Sequence, residues 1–195
     1  MSTGSPRQLW LVPVLLITVI ATALGALVAR SLYADQPPAL PTAVEPSASS
    51  VPPSEQPGSS EVKGTADATT HPLYNTLQPL LQRYFNAINE KDYEAWTQTV
   101  TAQRVTDQRG EGKWQEAYGT TRDGSIVMYR IEVTGDETAR VLLQFTSTQT
   151  VANAPEELPA ECIHWNVVWG FEKERGEWRL AAGSTSATPQ HEACT

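Results

Sequence analysis

The chain has 195 residues, with 14 Lys and Arg against 22 Asp and Glu and a formal charge of −8 at pH 7. No basic run occurs, which argues against nucleic acid as a partner, because phosphate binding needs clustered cations. Two cysteines, Cys162 and Cys194, suffice for one disulfide, and only if the folded part lies outside the cytosol.

Residues 1–8 form a short N-terminus, and residues 9–29 predict a transmembrane helix. The uncharged run from Gln8 to Ala29 is long enough to cross about 30 Å of hydrocarbon at about 1.5 Å per residue. A secretory apolar region is shorter, about 7–15 residues. Trp10 and Tyr33 flank the run as interfacial aromatics, and Arg7 and the amino terminus precede it, which puts the N-terminus in the cytoplasm and exports the rest. A cleaved signal peptide ending at Leu32-Tyr33-Ala34 is the alternative, and it exports the same residues. Residues 30–71 are rich in Pro, Ser, Ala and Thr without apolar periodicity. Such a segment predicts a disordered, extended spacer that holds a domain away from the membrane.

Residues 72–195 predict the folded domain. Leu77, Leu80, Leu81, Tyr84, Phe85 and Ile88 repeat with helical spacing, with Thr76 as the candidate cap and Pro79 in the first turn. Asn89 to Lys91 form a corner. Asp92 then caps a second helix with Tyr93, Trp96, Thr97 and Val100 on its apolar face. A third helical piece covers about Lys113 to Tyr118. After Asp123-Gly124 the period changes to two. Val127, Tyr129, Ile131 and Val133 share one face, then Val141, Leu143 and Phe145, then Ile163, Trp165, Val167, Trp169 and Phe171, and "EWRLAAGSTSAT" returns as the last strand. Helices followed by about four antiparallel strands read as α+β, with the helices on one face of a curved sheet.

The stretches "RYFNAIN" and "EKDYEAW", with the closing "GEWRLAAG", resemble the nuclear transport factor 2-like superfamily over about residues 73 to 188. The resemblance implies a cone: a bent sheet wrapped around the first helix, leaving an open-ended cavity. The whole layout resembles membrane-anchored envelope proteins of actinobacteria. The superfamily holds enzymes and binding modules alike, so the fold does not decide activity. Its ketosteroid isomerase-like branch implies a tyrosine donor to an oxyanion, matched here by Tyr84. It also implies a carboxylate base, which falls near Asp107. The cyclase-like and dehydratase-like branches imply a His and an Asp in the cavity.

Each candidate also has a reading without chemistry. Tyr84 shares a face with Leu77, Leu81 and Ile88, as a core tyrosine does. Asp107 stands in the polar stretch "RVTDQRG", as a solvated loop carboxylate does. His164 alternates with Asn166 opposite an apolar strand face and belongs either to the cavity or to a solvated sheet face. Tyr84, Trp96, Trp114, Trp165 and Trp169 are candidates to line an apolar pocket or to fill the core. No metal-ligand spacing and no cofactor motif occurs in the sequence.

With a turn at Arg175-Gly176, Cys162 lies across the hairpin from about Thr188. Cys194 follows six residues later, so the tail reaches Cys162 by folding back once. These features predict a Cys162–Cys194 disulfide and an extracytoplasmic, non-catalytic binding or assembly module anchored through residues 9–29. Its expected partner is an envelope protein or an apolar small molecule, with homodimerisation open. The alternative is a small isomerase or cyclase using Tyr84 with Asp107 or His164.

Overall fold

A computed structural model describes residue 52, residues 55–183 and residues 189–194. The predicted N-terminal segment 1–8, the transmembrane run 9–29 and most of the spacer lie outside the described residues. Among the described residues no helix is long and apolar enough to cross a membrane.

Order begins well before residue 72, which corrects the predicted end of the spacer. Val62 is buried, Lys63–Gly64 form strand β1 and Ala66–Thr69 form helix α1. Apolar composition alone does not foretell this, because polar side chains of the domain hold the arm. Gln82 Oε1 accepts from the Val62 N–H at 2.8 Å, Gln78 Nε2 donates to the Val62 carbonyl at 2.9 Å, and Gln82 Nε2 donates to the Ser60 carbonyl. Farther back, Ser125 donates through its N–H to Ser59 and through its hydroxyl to Pro57. The neighbouring Gly124 has to be glycine: a Cβ there would stand 2.6 Å from the Pro57 and Gly58 carbonyl oxygens.

Helix α2, Tyr74–Glu90, buries Leu77, Leu80, Leu81, Tyr84, Phe85, Ala87 and Ile88. Thr76 is not its cap. The helix starts at Tyr74 with Leu73 in the capping position and no side-chain bond there. Pro79 therefore lies inside the helix rather than in its first turn. It removes the amide that would bond Asn75, and Asn75 is exposed, so water can take that carbonyl. The corner closes on Lys91, left-handed at φ 63°, whose N–H reaches the Ala87 and Ile88 carbonyls.

Asp92 caps helix α3, Tyr93–Thr97, by accepting from the Ala95 N–H at 2.8 Å. Asp92→Ala is expected to lower stability by about 1 kcal/mol in urea unfolding, the usual contribution of such a cap, and an unchanged midpoint would contradict that role. Helix α4, Ala102–Asp107, was not foreseen. Thr101 caps it by accepting from the Arg104 N–H. Helix α5, Glu111–Tyr118, coincides with the predicted third piece and buries Trp114.

The strands form one mixed sheet of six. They are β1, β2 (Arg122–Gly135), β3 (Thr138–Thr148), β4 (Cys162–Glu174), β5 (Glu177–Leu180) and β6 (Gln190–Ala193). The order is β1-β2-β3-β4-β5, with β6 also paired to β4. All pairs are antiparallel except β1 on β2. The architecture is α+β, with helices packed on a curved, unclosed sheet. The last strand of the meander is shorter than predicted, and β6 occupies the remaining edge of β4.

The predicted core face of β2 is half corrected. Ile126 and Met128 are buried, whereas Val127 and Tyr129 are only half-buried and Val133 is 54% exposed. A register shift between Met128 and Arg130 inserts an extra residue, so the inward face changes from even to odd numbers and Ile131 is buried as predicted. On β3 and β4 the predicted faces hold: Val141, Leu143, Ile163, Val167 and Phe171 are buried, with Phe145, Trp165 and Trp169 packed partly buried beside them.

Candidate functional site

The middle of α2 carries Tyr84 into the core, where it is 3% exposed. Its ring meets Phe85 and Trp169 edge-on, at 5.4 and 5.3 Å between centroids. Its hydroxyl accepts from Arg104 Nη2 at 3.1 Å, and Arg104 Nη1 donates to the Ala181 carbonyl at 3.0 Å. Helix α4 therefore aims Arg104 across the end of the core, where the guanidinium also sits over the Tyr84 and Trp169 rings. Burial pushes the Tyr84 hydroxyl pKa well above its ordinary value. The Arg104 charge and the nearby Trp96 N–H oppose that shift, while Tyr118 and Asp123 add to it.

The predicted catalytic partners do not meet Tyr84. Asp107 is exposed at the last residue of α4, and its carboxylate accepts from Gln103 at 2.7 Å. Tyr84 is instead engaged by Arg104 of the same helix. His164 points to the sheet face opposite Ile163 and Val167, where its Nδ1 lies 2.8 Å from the Thr146 hydroxyl. The next pair on that face is Gln144, which donates to Asn166.

The five aromatic candidates divide into two groups. Trp165 and Trp169 join Phe85 and Phe145 on the sheet, with Phe85 stacked on Trp169 at 5.6 Å and Phe145 on Trp165 at 6.1 Å. Trp96 and Trp114, both fully buried, lie 5.9 Å apart under the short helices with Tyr93 and Tyr118. Tyr84 stands between the groups. Among the described residues the buried indole N–H groups of Trp114 and Trp165 meet no hydrogen-bond partner, while that of Trp96 lies beside the Tyr84 hydroxyl and favours its ionised form.

One buried carboxylate escaped the sequence reading. Asp123, at the start of β2, is 5% exposed, and burial pushes its pKa up to about 6 against the opposing Ser147 hydrogen bond and Lys91 charge. Ser147 donates to its carboxylate, and Asn89 clamps its backbone from α2, donating to the Asp123 carbonyl and accepting from its N–H. Lys91, its pKa lowered by burial, donates to the Ile88 and Thr121 carbonyls beside it. Asp-Gly at this point signals a turn, and only the long-range partners Asn89 and Ser147 reveal the burial.

Surface grooves flank the core among the described residues. One of about 1000 Å³ runs past Val100, Val105, Glu174 and Arg179. Another of about 440 Å³ passes Pro79, Arg83 and Trp178, and a third of similar size lies beside Gln149 and Cys162. Tyr84, Trp96 and Trp114 line none of these three. Among the described residues no cluster of His, Cys, Asp and Glu is arranged to hold a metal ion.

The predicted disulfide is present, although the hairpin β4–β5 ends at Leu180 and does not run on to face Cys162. Cys162 and Cys194 are bonded with 5.3 Å between their Cα atoms, and the Cys194 N–H also donates to the Cys162 carbonyl at 3.0 Å. Strand β6 places Cys194 there by pairing Ala193 with Ile163 and His191 with Trp165, whose rings lie 5.0 Å apart.

No family model and no curated protein matches the sequence. Among solved structures the chain is similar to the Delta 5-3-ketosteroid isomerase from Mycobacterium sp. The identity is 12% and the TM-score 0.34, over 57% of this chain and 96% of that one.

Proposed function

We propose that the chain is a single-pass envelope protein whose exported domain, of the nuclear transport factor 2-like cone type, is a non-catalytic binding module. The reading of the fold rests on the order of helices before strands and on α2 packed against the sheet. The reading of location rests on the uncharged run 9–29 and on a disulfide that a reducing cytosol would not maintain. The observation that carries the non-catalytic reading is the engagement of the Tyr84 hydroxyl by Arg104, while Asp107 and His164 lie at the surface and on the other sheet face. An isomerase needs its donor and its base to face one reacting carbon. The partner is an envelope protein met by the sheet face or an apolar small molecule.

A second reading is favoured by Asp123 alone. A buried carboxylate titrating near pH 6, and within electrostatic reach of Tyr84, has the poise of a general base. In that reading Asp123 replaces Asp107 and His164 as the partner of Tyr84.

Export is tested by adding protease to intact cells that express the full chain. Cleavage within the spacer and release of a folded, disulfide-bonded fragment is the expected result. A fragment protected until the cells are lysed would contradict the reading.

A further inference from the structure

Strand β6 is held by many weak contacts and one strong one. Of its residues Gln190, Glu192 and Ala193 are exposed and His191 is half-buried, so it buries no large apolar side chain. In the sheet it pairs with β4 alone, from Ile163–Ala193 to Asn166–Gln190, and the Cys194 N–H adds a bond to the Cys162 carbonyl at 3.0 Å. The net gain from such backbone bonds is of the same order as the entropy lost in fixing the residues that make them. His191 adds a ring contact with Trp165 at 5.0 Å and stands 3.6 Å from the exposed Glu157 carboxylate, a surface contact of little weight. The indole N–H of Trp165, whose ring carries His191, is buried and meets no partner among the described residues, which counts against the docked strand. The strong contact is the Cys162–Cys194 disulfide. Both cysteines are half-buried rather than buried, and Cys162 lines the groove of about 440 Å³ beside Gln149 and Thr150. Strand β4 does not depend on β6 for its place: β3 pairs with it without interruption from Thr148–Cys162 to Thr138–Glu172, and Ile163, Val167 and Phe171 are buried in the core.

We propose that the Cys162–Cys194 disulfide is a reducible latch: exchange with a dithiol releases β6 from β4 while the rest of the domain stays folded. The first thiolate of the dithiol attacks Cys162 Sγ, the protein S–S bond breaks, and Cys194 leaves as a thiolate with the tail attached. The second thiolate attacks the dithiol sulfur of the mixed disulfide and expels Cys162. The dithiol loses two electrons and two protons, becoming a disulfide, and the protein gains them as two thiols. Release changes the surface in two ways. The Cys162 carbonyl faces β6, so by alternation the backbone groups of His164 and Asn166 face it too, and all three lose their strand partner. The Trp165 ring loses His191, and its indole N–H reaches water. The oxidised form covers both the edge and the indole. The latch works alike whether the core binds or catalyses.

The test uses the oxidised full chain in lipid nanodiscs at pH 7.5, with the tryptophan indoles labelled with ¹⁵N and dithiothreitol as the dithiol. In native buffer the rate of reduction is expected to rise in proportion to the dithiothreitol concentration. A rate that levels off at a value independent of the reagent would mean that the bond opens only after the domain unfolds, and this overturns the proposal. In the reduced protein, amide exchange over residues 189–195 should quicken by roughly tenfold or more, while residues 139–147 of β3 stay protected. The Trp165 indole signal should move and that of Trp114 should not. A tail that keeps its protection after reduction, or a tail and a β3 that lose protection together, overturns the proposal. The double variant Cys162→Ser with Cys194→Ser should show the released tail without reagent and no response to it. A response of that variant to dithiothreitol would place the effect outside the disulfide and also overturn the latch. Reduction of the wild type carries the test if the variant does not fold.

Discussion

Asp123→Asn is expected to make the domain more stable at pH 7.5 and to flatten its stability between pH 4 and 6. Burial pushes the folded carboxyl up to about 6, whereas the unfolded chain titrates near 3.9. The folded state therefore holds the proton more tightly. The stability tied to that proton is fully present below about pH 4, is lost as the pH rises through about 6, and stays lost above it. A gap of about two pKa units at about 1.4 kcal/mol each gives roughly 3 kcal/mol as the upper size of the effect. Asparagine keeps an oxygen for the Ser147 hydroxyl and removes the charge. Lys91 loses a nearby anion in the variant, which trims the gain. Urea unfolding at pH 4.5 and 7.5 measures the change. The wild type should be the less stable of the two at pH 7.5, with little difference at pH 4.5. Parallel pH profiles for the two proteins would show that Asp123 titrates as an ordinary surface carboxylate.

Removing the disulfide is expected to destabilise the domain by about 3–4 kcal/mol. Cys162 and Cys194 are 32 residues apart, and closing a loop of that length restricts the unfolded chain by about that much. The bond also keeps β6 on the edge of β4, beside the pairs from Ile163–Ala193 to Asn166–Gln190, the Cys194 N–H bond to the Cys162 carbonyl and the Trp165–His191 ring contact. In the double variant Cys162→Ser with Cys194→Ser the melting temperature should fall by roughly 10 °C. A reductant should lower the wild-type midpoint by the same amount and leave the variant unmoved. A wild type indifferent to reductant would mean that the β6 pairing alone fixes the tail.

What the sequence disclosed and what it concealed divides by the range of the interactions. The inward face of α2 follows from the spacing of Leu77, Leu81, Tyr84 and Ile88. The corner follows from Asp92, whose capping bond spans three residues. The disulfide was foreseen but its route was not: the hairpin register that pairs Phe171 with Leu180 stops there, and a separate strand, β6, pairs Ile163 with Ala193 and brings Cys194 to Cys162. The extra residue at Met128 to Arg130 was hidden, since no local signal in "SIVMYRIEV" marks a bulge, and it reverses which of Met128 and Tyr129 lies inside. The arm at residues 55–64 was hidden for another reason: of its own side chains only Val62 is apolar and buried, and Gln78 and Gln82 on α2 hold its backbone. Helix α4 carried a signal in Thr101, a capping residue, but "RVTDQRG" read as a polar loop. With that helix unseen, Arg104 could not be placed on Tyr84. Asp123 was read as punctuation because its neighbour is glycine, while its burial is set by residues 34 and 24 positions away.

The central claim is that this core binds and does not catalyse. The most direct measurement is hydrogen–deuterium exchange at the α-carbon of a cyclic ketone, followed in D₂O with the full chain in nanodiscs. The predicted result is exchange no faster than in buffer, for the wild type and Asp123→Asn alike. Exchange accelerated by the wild type and lost in both Asp123→Asn and Tyr84→Phe would contradict the claim and establish those two residues as the base and the donor of an enzyme.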